Sequence, residues 1–163
     1  MYRKISFFDI GIAVAPLTGF RLHRGTDMRE RKLVLLIEDN AAEREMYGKL
    51  LWYNGFEVAF AKDGAEGLRM VGEVHPDLVV TDLGLPDIDG FDVCRRLKSN
   101  QATADTPVVA LSGRTREHSG ARAMQEGCVE YFEKPISPYE VLKGVERLIG
   151  QQPPPGPSGG RAA

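Results

Sequence analysis

The chain has 163 residues, 42% of them hydrophobic and 27% charged, which is enough for one compact domain and short of two. That balance excludes collagen-like, coiled-coil and wholly disordered chains. Charge is uneven: residues 1–32 carry seven Lys and Arg against three Asp and Glu, whereas residues 33–150 carry 13 against 20. The stretch able to hold a core is therefore acidic, which argues against direct nucleic-acid binding.

The amino terminus opens with Met1, Tyr2, Arg3 and Lys4 and an apolar run from Ile5 to Ala15, superficially like a signal peptide with Ala13-Val14-Ala15 as the cleavage site. Asp9 interrupts the run, Pro16 and Gly19 break a continuing helix, and the run is far short of the roughly 20 residues of a membrane span. Residues 1–30 thus read as a disordered extension, or as sequence upstream of a true start at Met28. A short docking or membrane-surface segment and an exported leader are the alternatives. Residues 151–163, rich in Pro and Gly, read as a solvated tail. The domain itself is expected over 31–150.

Within it, strand and helix patterns alternate five times. Leu33–Ile37, Leu78–Val80 and Val108–Leu111 are continuous apolar runs, as suits parallel strands covered on both faces. Phe56–Phe60 alternates and Cys128–Phe132 is mixed, so these two predict edge strands. Asn40 with Glu43, Asp63 with Glu66, and Ser137 with Glu140 have capping-box spacing and predict helix starts. Pro138 falls at a first helical position, and Gly55 and Gly150 supply stops. Residues 90–99 and about 116–126 fill the other two helical slots. The pattern predicts an α/β fold: a doubly wound, five-stranded parallel sheet between helical layers. Cys94 and Cys128 sit within apolar patterns and read as reduced packing residues of a cytoplasmic protein. His23, His75 and His118 are scattered, without metal-ligand spacing, and read as surface residues.

In such a sheet, ligands bind beyond the carboxyl ends of the strands. The residues there are Glu38 and Asp39 after the first strand, Asp82 after the third, Ser112 after the fourth and Lys134 after the fifth. Asp39 alone would read as a helix cap, but the set reads as a site. Mutually repelling carboxylates call for a cation, and all-oxygen ligands favour Mg²⁺ or Mn²⁺. A flavodoxin-like nucleotide binder is disfavoured, because the loop Glu38-Asp39-Asn40-Ala41-Ala42-Glu43 would repel the phosphate that such proteins cradle on backbone N–H groups. Metal, carboxylate and Lys together suit phosphoryl transfer onto Asp82.

Four segments carry a family resemblance: Leu35 through Asn40, Asp82 through Gly90, Ala110 through Gly113, and Tyr131 through Pro135. With intervals of 43, 30 and 22 residues between Asp39, Asp82, Ser112 and Lys134, the chain resembles the CheY-like receiver domain of two-component response regulators. The resemblance implies Asp82 as phosphoacceptor, and Mg²⁺ held by Glu38, Asp39, Asp82 and the Gly84 carbonyl. It implies Ser112 and Lys134 on the phosphoryl group, Tyr131 as a switch aromatic, and a cis Lys134–Pro135 bond. Glu38, Ser112 and Leu85 depart slightly from the usual residues without removing a required group. Gly84 and Arg114 match positions that tune hydrolysis in that family, and the lack of a water-holding group at Gly84 predicts a moderately long-lived phosphoryl state. The expected partners are a sensor histidine kinase or phosphotransfer protein and a downstream protein target, with no nucleic acid and no membrane span. The chain is expected to catalyse only its own phosphorylation and dephosphorylation. The expected output is a phosphorylation-driven change of the face formed by the fourth helix, fifth strand and fifth helix, joined to the site through Ser112 and Tyr131. Phosphorylation-independent docking through the same face is the alternative. A Mg²⁺-dependent phosphatase is disfavoured, since Gly84 stands where its general acid belongs.

Overall fold

The computed structural model describes residues 31–113 and 119–150. The expectations for residues 1–30 and 151–163, and those for Arg114, His23 and His118, lie outside them. The elements run β1 (Leu33–Ile37), α1 (Ala41–Tyr53), β2 (Glu57–Ala61), α2 (Gly64–Val74), β3 (Leu78–Asp82), α3 (Gly90–Ser99), β4 (Val108–Ser112), α4 (Ser119–Gln125), β5 (Glu130–Glu133) and α5 (Pro138–Ile149). All pairings are parallel, in the order β2-β1-β3-β4-β5. The expected α/β class and five-stranded sheet are therefore present. Helix α1 packs with α5, while α2 packs with α3 and α3 with α4.

The continuous apolar runs became the central strands. Every residue of β3 and β4 is buried, as are Val34 to Ile37 of β1. The two predicted edge strands are at the edges but differ from each other: β2 buries Val58, Ala59 and Ala61, whereas no residue of β5 is fully buried. Both also begin later than predicted. The Phe56 N–H donates to the Leu51 carbonyl and the Cys128 N–H to the Ala123 carbonyl, so helix ends consume the bonds that a longer strand would need. Gly55 and Gly127, each at φ 93°, make the reversals between those helix ends and the strands. Conversely, β3 and β4 reach one or two residues further than their apolar runs. Asp82 and Ser112 are the last residues of their strands, not the first beyond them.

The capping boxes are realised unevenly. Asn40 Oδ1 accepts from Ala42 and Glu43 N–H at 3.0 and 3.2 Å, and Asp63 Oδ1 accepts from Glu66 N–H at 2.8 Å. Glu66 returns a carboxylate to the Lys62 N–H, but the Glu43 side chain goes elsewhere. Ser137 makes no side-chain cap, and α5 starts on Pro138 and the Ser137 carbonyl instead. Asp89, not anticipated as a cap, accepts from the Phe91 N–H to start α3. His75 is exposed, as expected, and closes α2 in the left-handed region at φ 48°. No helix among the described residues is long and apolar enough to cross a membrane.

Candidate active site

The carboxyl ends of β1, β3, β4 and β5 lie at one edge, and the backbone ladder runs a residue past β1, β3 and β5. Glu38 N–H donates to the Ala61 carbonyl, Leu83 N–H to the Leu111 carbonyl, and Lys134 N–H to the Ser112 carbonyl at 2.7 Å. Glu38, Asp82 and Lys134 are thereby fixed by sheet hydrogen bonds at their own or the adjacent residue, not left on free loops. They share a cavity lined also by Asp39, Asn40, Glu43, Gly84 and Gly113.

Lys134 organises it. Its Nζ donates to Glu38 Oε2 at 2.9 Å, to Asp82 Oδ2 at 2.7 Å, and to Glu43 Oε2. The second oxygens are also held: Glu38 Oε1 accepts from the Asn40 N–H and Asp82 Oδ1 from the Gly84 N–H at 2.6 Å. The Glu38 side chain is 1% exposed, those of Asp82 and Lys134 12% and 14%. Burial pushes the Glu38 carboxyl up to about 7, against the opposing hydrogen bond from Lys134. Burial also works against the Lys134 ammonium. Its bonds to Asp82, Glu43 and Glu38 outweigh that and hold its pKa well above the ordinary lysine value. The Lys134–Pro135 bond is cis, as the resemblance implied.

Oxygens of Glu38, Glu43 and Asp82 all lie within 4.8 Å of one another. Three carboxylates around one ammonium leave negative charge that a hard divalent cation would balance, so the donor set fits Mg²⁺. Of the expected ligands, Glu38 and Asp82 are in this cluster. Asp39 and Gly84 line the cavity outside it, with Asp39 exposed. Ser112 is 1% exposed at the end of β4, and its neighbour Gly113 is the residue on the cavity wall.

Sequence reasoning missed Glu43 as a site residue, reading it as a helix-start partner for Asn40. The available signal was its place one turn into α1, directly above the strand-end acids. Asp87 was missed as well. From the loop after β3, its two oxygens accept from the Gly64 and Ala65 N–H groups at 2.8 Å each. Burial raises the Asp87 pKa, but these backbone donors prevail and hold it below the ordinary carboxylate range. The loop carrying Gly84 is thus tied to the start of α2.

Tyr131, the expected switch aromatic, is half-buried in β5 and packs on the central core. A Cβ at Gly120 of α4 would stand 3.2 Å from Tyr131 Cδ1, so that glycine is the clearance for the ring. Gly120→Ala should crowd the ring and bias it away from α4. The Tyr131 ring resonances report this directly, and an unchanged ring environment would refute the contact.

Residues 34–146 match the profile of the response regulator receiver domain. The polar-differentiation response regulator DivK of Brucella ovis is 30% identical over 119 residues, which span 73% of this chain and 97% of DivK. Among solved structures, the chemotaxis response regulator CheY4 of Vibrio cholerae superposes with TM-score 0.68 at 25% identity, over 72% of this chain and 98% of that one. The receiver domain of a Pseudomonas aeruginosa sensor histidine kinase superposes with TM-score 0.67 at 25% identity, over 74% and 99% of the two chains. That structure has a magnesium ion coordinated in its active-site cleft.

Proposed function

Since this chain belongs to the response regulator receiver family, we propose that Asp82 accepts a phosphoryl group from the phosphohistidine of a sensor kinase or phosphotransfer protein in the cytoplasm. The observation that carries this reading is the Lys134 ammonium on Asp82 Oδ2, with Glu38 and Glu43 on the same cation. Asp82 is oriented by the Gly84 N–H on one oxygen and by Lys134 on the other. One oxygen attacks phosphorus, the phosphorus–nitrogen bond breaks, and the donor imidazole leaves with the electron pair. Lys134 then turns from a carboxylate partner into a partner for the phosphoryl oxygens. Glu38 and Asp82, with a further oxygen from Glu43, Asp39 or Gly84, would hold Mg²⁺, which would supply charge neutralisation on the transferred group.

The chemistry is confined to the chain's own Asp82, and the output is a change in the protein-binding face. That face includes α4 and β5, where Tyr131 meets Gly120. Incubation with acetyl phosphate and Mg²⁺ should give a single phosphoryl adduct by intact mass. No adduct with either acetyl phosphate or a phosphorylated histidine donor would defeat the reading.

Glu43 adds a term absent from the sequence-based expectation of a long-lived phosphoryl state. Its carboxylate stands in the cavity that Gly84 leaves open, and it competes with any phosphoryl group for Lys134. Removing one negative charge about 5 Å from a divalent ion costs about 1.7 kcal/mol even at the screening of bulk water. Glu43→Gln should therefore weaken Mg²⁺ binding by roughly tenfold, read by calorimetric titration without phosphoryl donor. Unchanged affinity would place Glu43 outside the metal's reach.

A further inference from the structure

Away from the phosphoryl site, the two cysteines meet. Cys94 lies in the middle of α3, Cys128 in the turn between α4 and β5, and their Sγ atoms are 2.7 Å apart. Both are free and buried, at 0% and 3% exposure. Packing alone does not require two sulfurs on one another. With the turn closed, Cys128 N–H bonds the Ala123 carbonyl and Val129 N–H the Val108 carbonyl, while Cys94 is held within its helix. The sulfurs need approach by only about 0.7 Å to reach the 2.05 Å of a bonded pair.

We propose that Cys94 and Cys128 form a modification site, a dithiol that a peroxide oxidises to an intramolecular disulfide and a small dithiol reduces again. The sequence reading of both as reduced packing residues describes the resting state. There, the hydrogen bond between the two sulfurs, then burial, push the Cys94 thiol far above the ordinary thiol range, so resting Cys94 is a poor nucleophile. Access comes through the turn. Glu126 and Gly127 are half-exposed, Val129 is 41% exposed, and the Lys98 stem covers Gly127. Opening that single turn presents Cys128 to solvent.

The Cys128 thiolate then attacks one oxygen of hydrogen peroxide. The O–O bond breaks, hydroxide leaves and takes up a proton as water, and a sulfenic acid forms. Cys94 attacks that sulfur as the turn recloses. The S–S bond forms, the S–O bond breaks, and the departing oxygen becomes the second water. Two electrons pass from the sulfurs to the peroxide, and the two thiol protons end in the two waters. The product ties α3 to the entrance of β5, just past the carboxyl end of α4. This inference does not depend on phosphorylation of Asp82.

The test uses the full folded chain, hydrogen peroxide at neutral pH, intact mass and peptide mapping. The expected result is loss of two hydrogens, a linked peptide pair holding Cys94 and Cys128, and recovery with dithiothreitol. Closing a loop between residues 34 apart should raise the melting temperature by about 5–10 °C. Cys94→Ala and Cys128→Ala should each abolish the mass loss. The mapping of the parent chain decides the matter even where a variant folds poorly. Unchanged mass, oxygen adducts without a linked pair, covalent dimers, or a disulfide formed only in denaturant would each overturn the proposal.

Discussion

Asp82→Asn should abolish the phosphoryl adduct and leave the fold in place. Asn has nearly the shape of Asp and retains one oxygen for the Gly84 N–H, which holds Asp82 Oδ1 at 2.6 Å. The substituted amide places a donor opposite Lys134, yet that ammonium keeps Glu38 and Glu43. One of three mutually repelling carboxylates disappears, so the electrostatic cost of the variant is small. What is lost is the nucleophile, because a neutral amide does not attack phosphorus at neutral pH. The adduct seen by intact mass after acetyl phosphate and Mg²⁺ should fall below a hundredth of the parent's, with the melting temperature within a few degrees. A full-stoichiometry adduct on the variant would assign the chemistry to another residue.

Lys134→Ala should be the most destabilising change at the site. Removing one partner of a buried ion pair costs about 3–5 kcal/mol, and here one removal leaves three carboxylates facing one another. In a domain of this size that lowers the melting temperature by roughly 10 °C or more. The loss should depend on pH through Glu38. Its folded-state pKa of about 7 lies above its unfolded value of 4.5, so the fold favours its protonated form. The resulting stability is fully present below the unfolded value and is lost as pH rises through about 7, a swing on the order of 3 kcal/mol. Without divalent cation, the parent should therefore melt higher near pH 5.5 than near pH 8. The variant should show a steeper dependence, because the Lys134 contribution that lowers the Glu38 pKa is gone. Added Mg²⁺, by favouring the ionised carboxylates as proposed, should flatten or reverse the trend. Melting curves with and without Mg²⁺ check both parts. A variant as stable as its parent at pH 8 would mean that solvent, not Lys134, balances the acids.

Receiver architecture was readable in the chain because its signals are local and periodic. Continuous runs such as Val108–Leu111 separate central strands from edges, since a strand covered on both faces has no polar side. Asn40 and Asp63 mark helix starts because a cap acts within three residues of itself. Once the strand ends were located, parallel topology alone brought Glu38, Asp82 and Lys134 to one edge. The strand boundaries were less readable. Whether Phe56 and Cys128 belong to a strand depends on which carbonyl reaches each N–H, and in both cases a preceding helix end took it.

Partner choice by side chains belonged to the tertiary structure. By capping-box spacing Glu43 should turn back to Asn40, yet an ammonium 91 residues away holds it. A charge-assisted bond in a partly buried site outweighs a second bond to an exposed cap. Asp87 crosses from the β3 loop to start α2, and Gly120 is needed where the Tyr131 ring passes. Cys94 and Cys128 meet across 34 residues. Each of these contacts joins elements that no local pattern relates, and its strength falls steeply with distance. Composition and spacing determined which groups would be available at the sheet edge and in the core; only the packing of helix on sheet decided which of them touch.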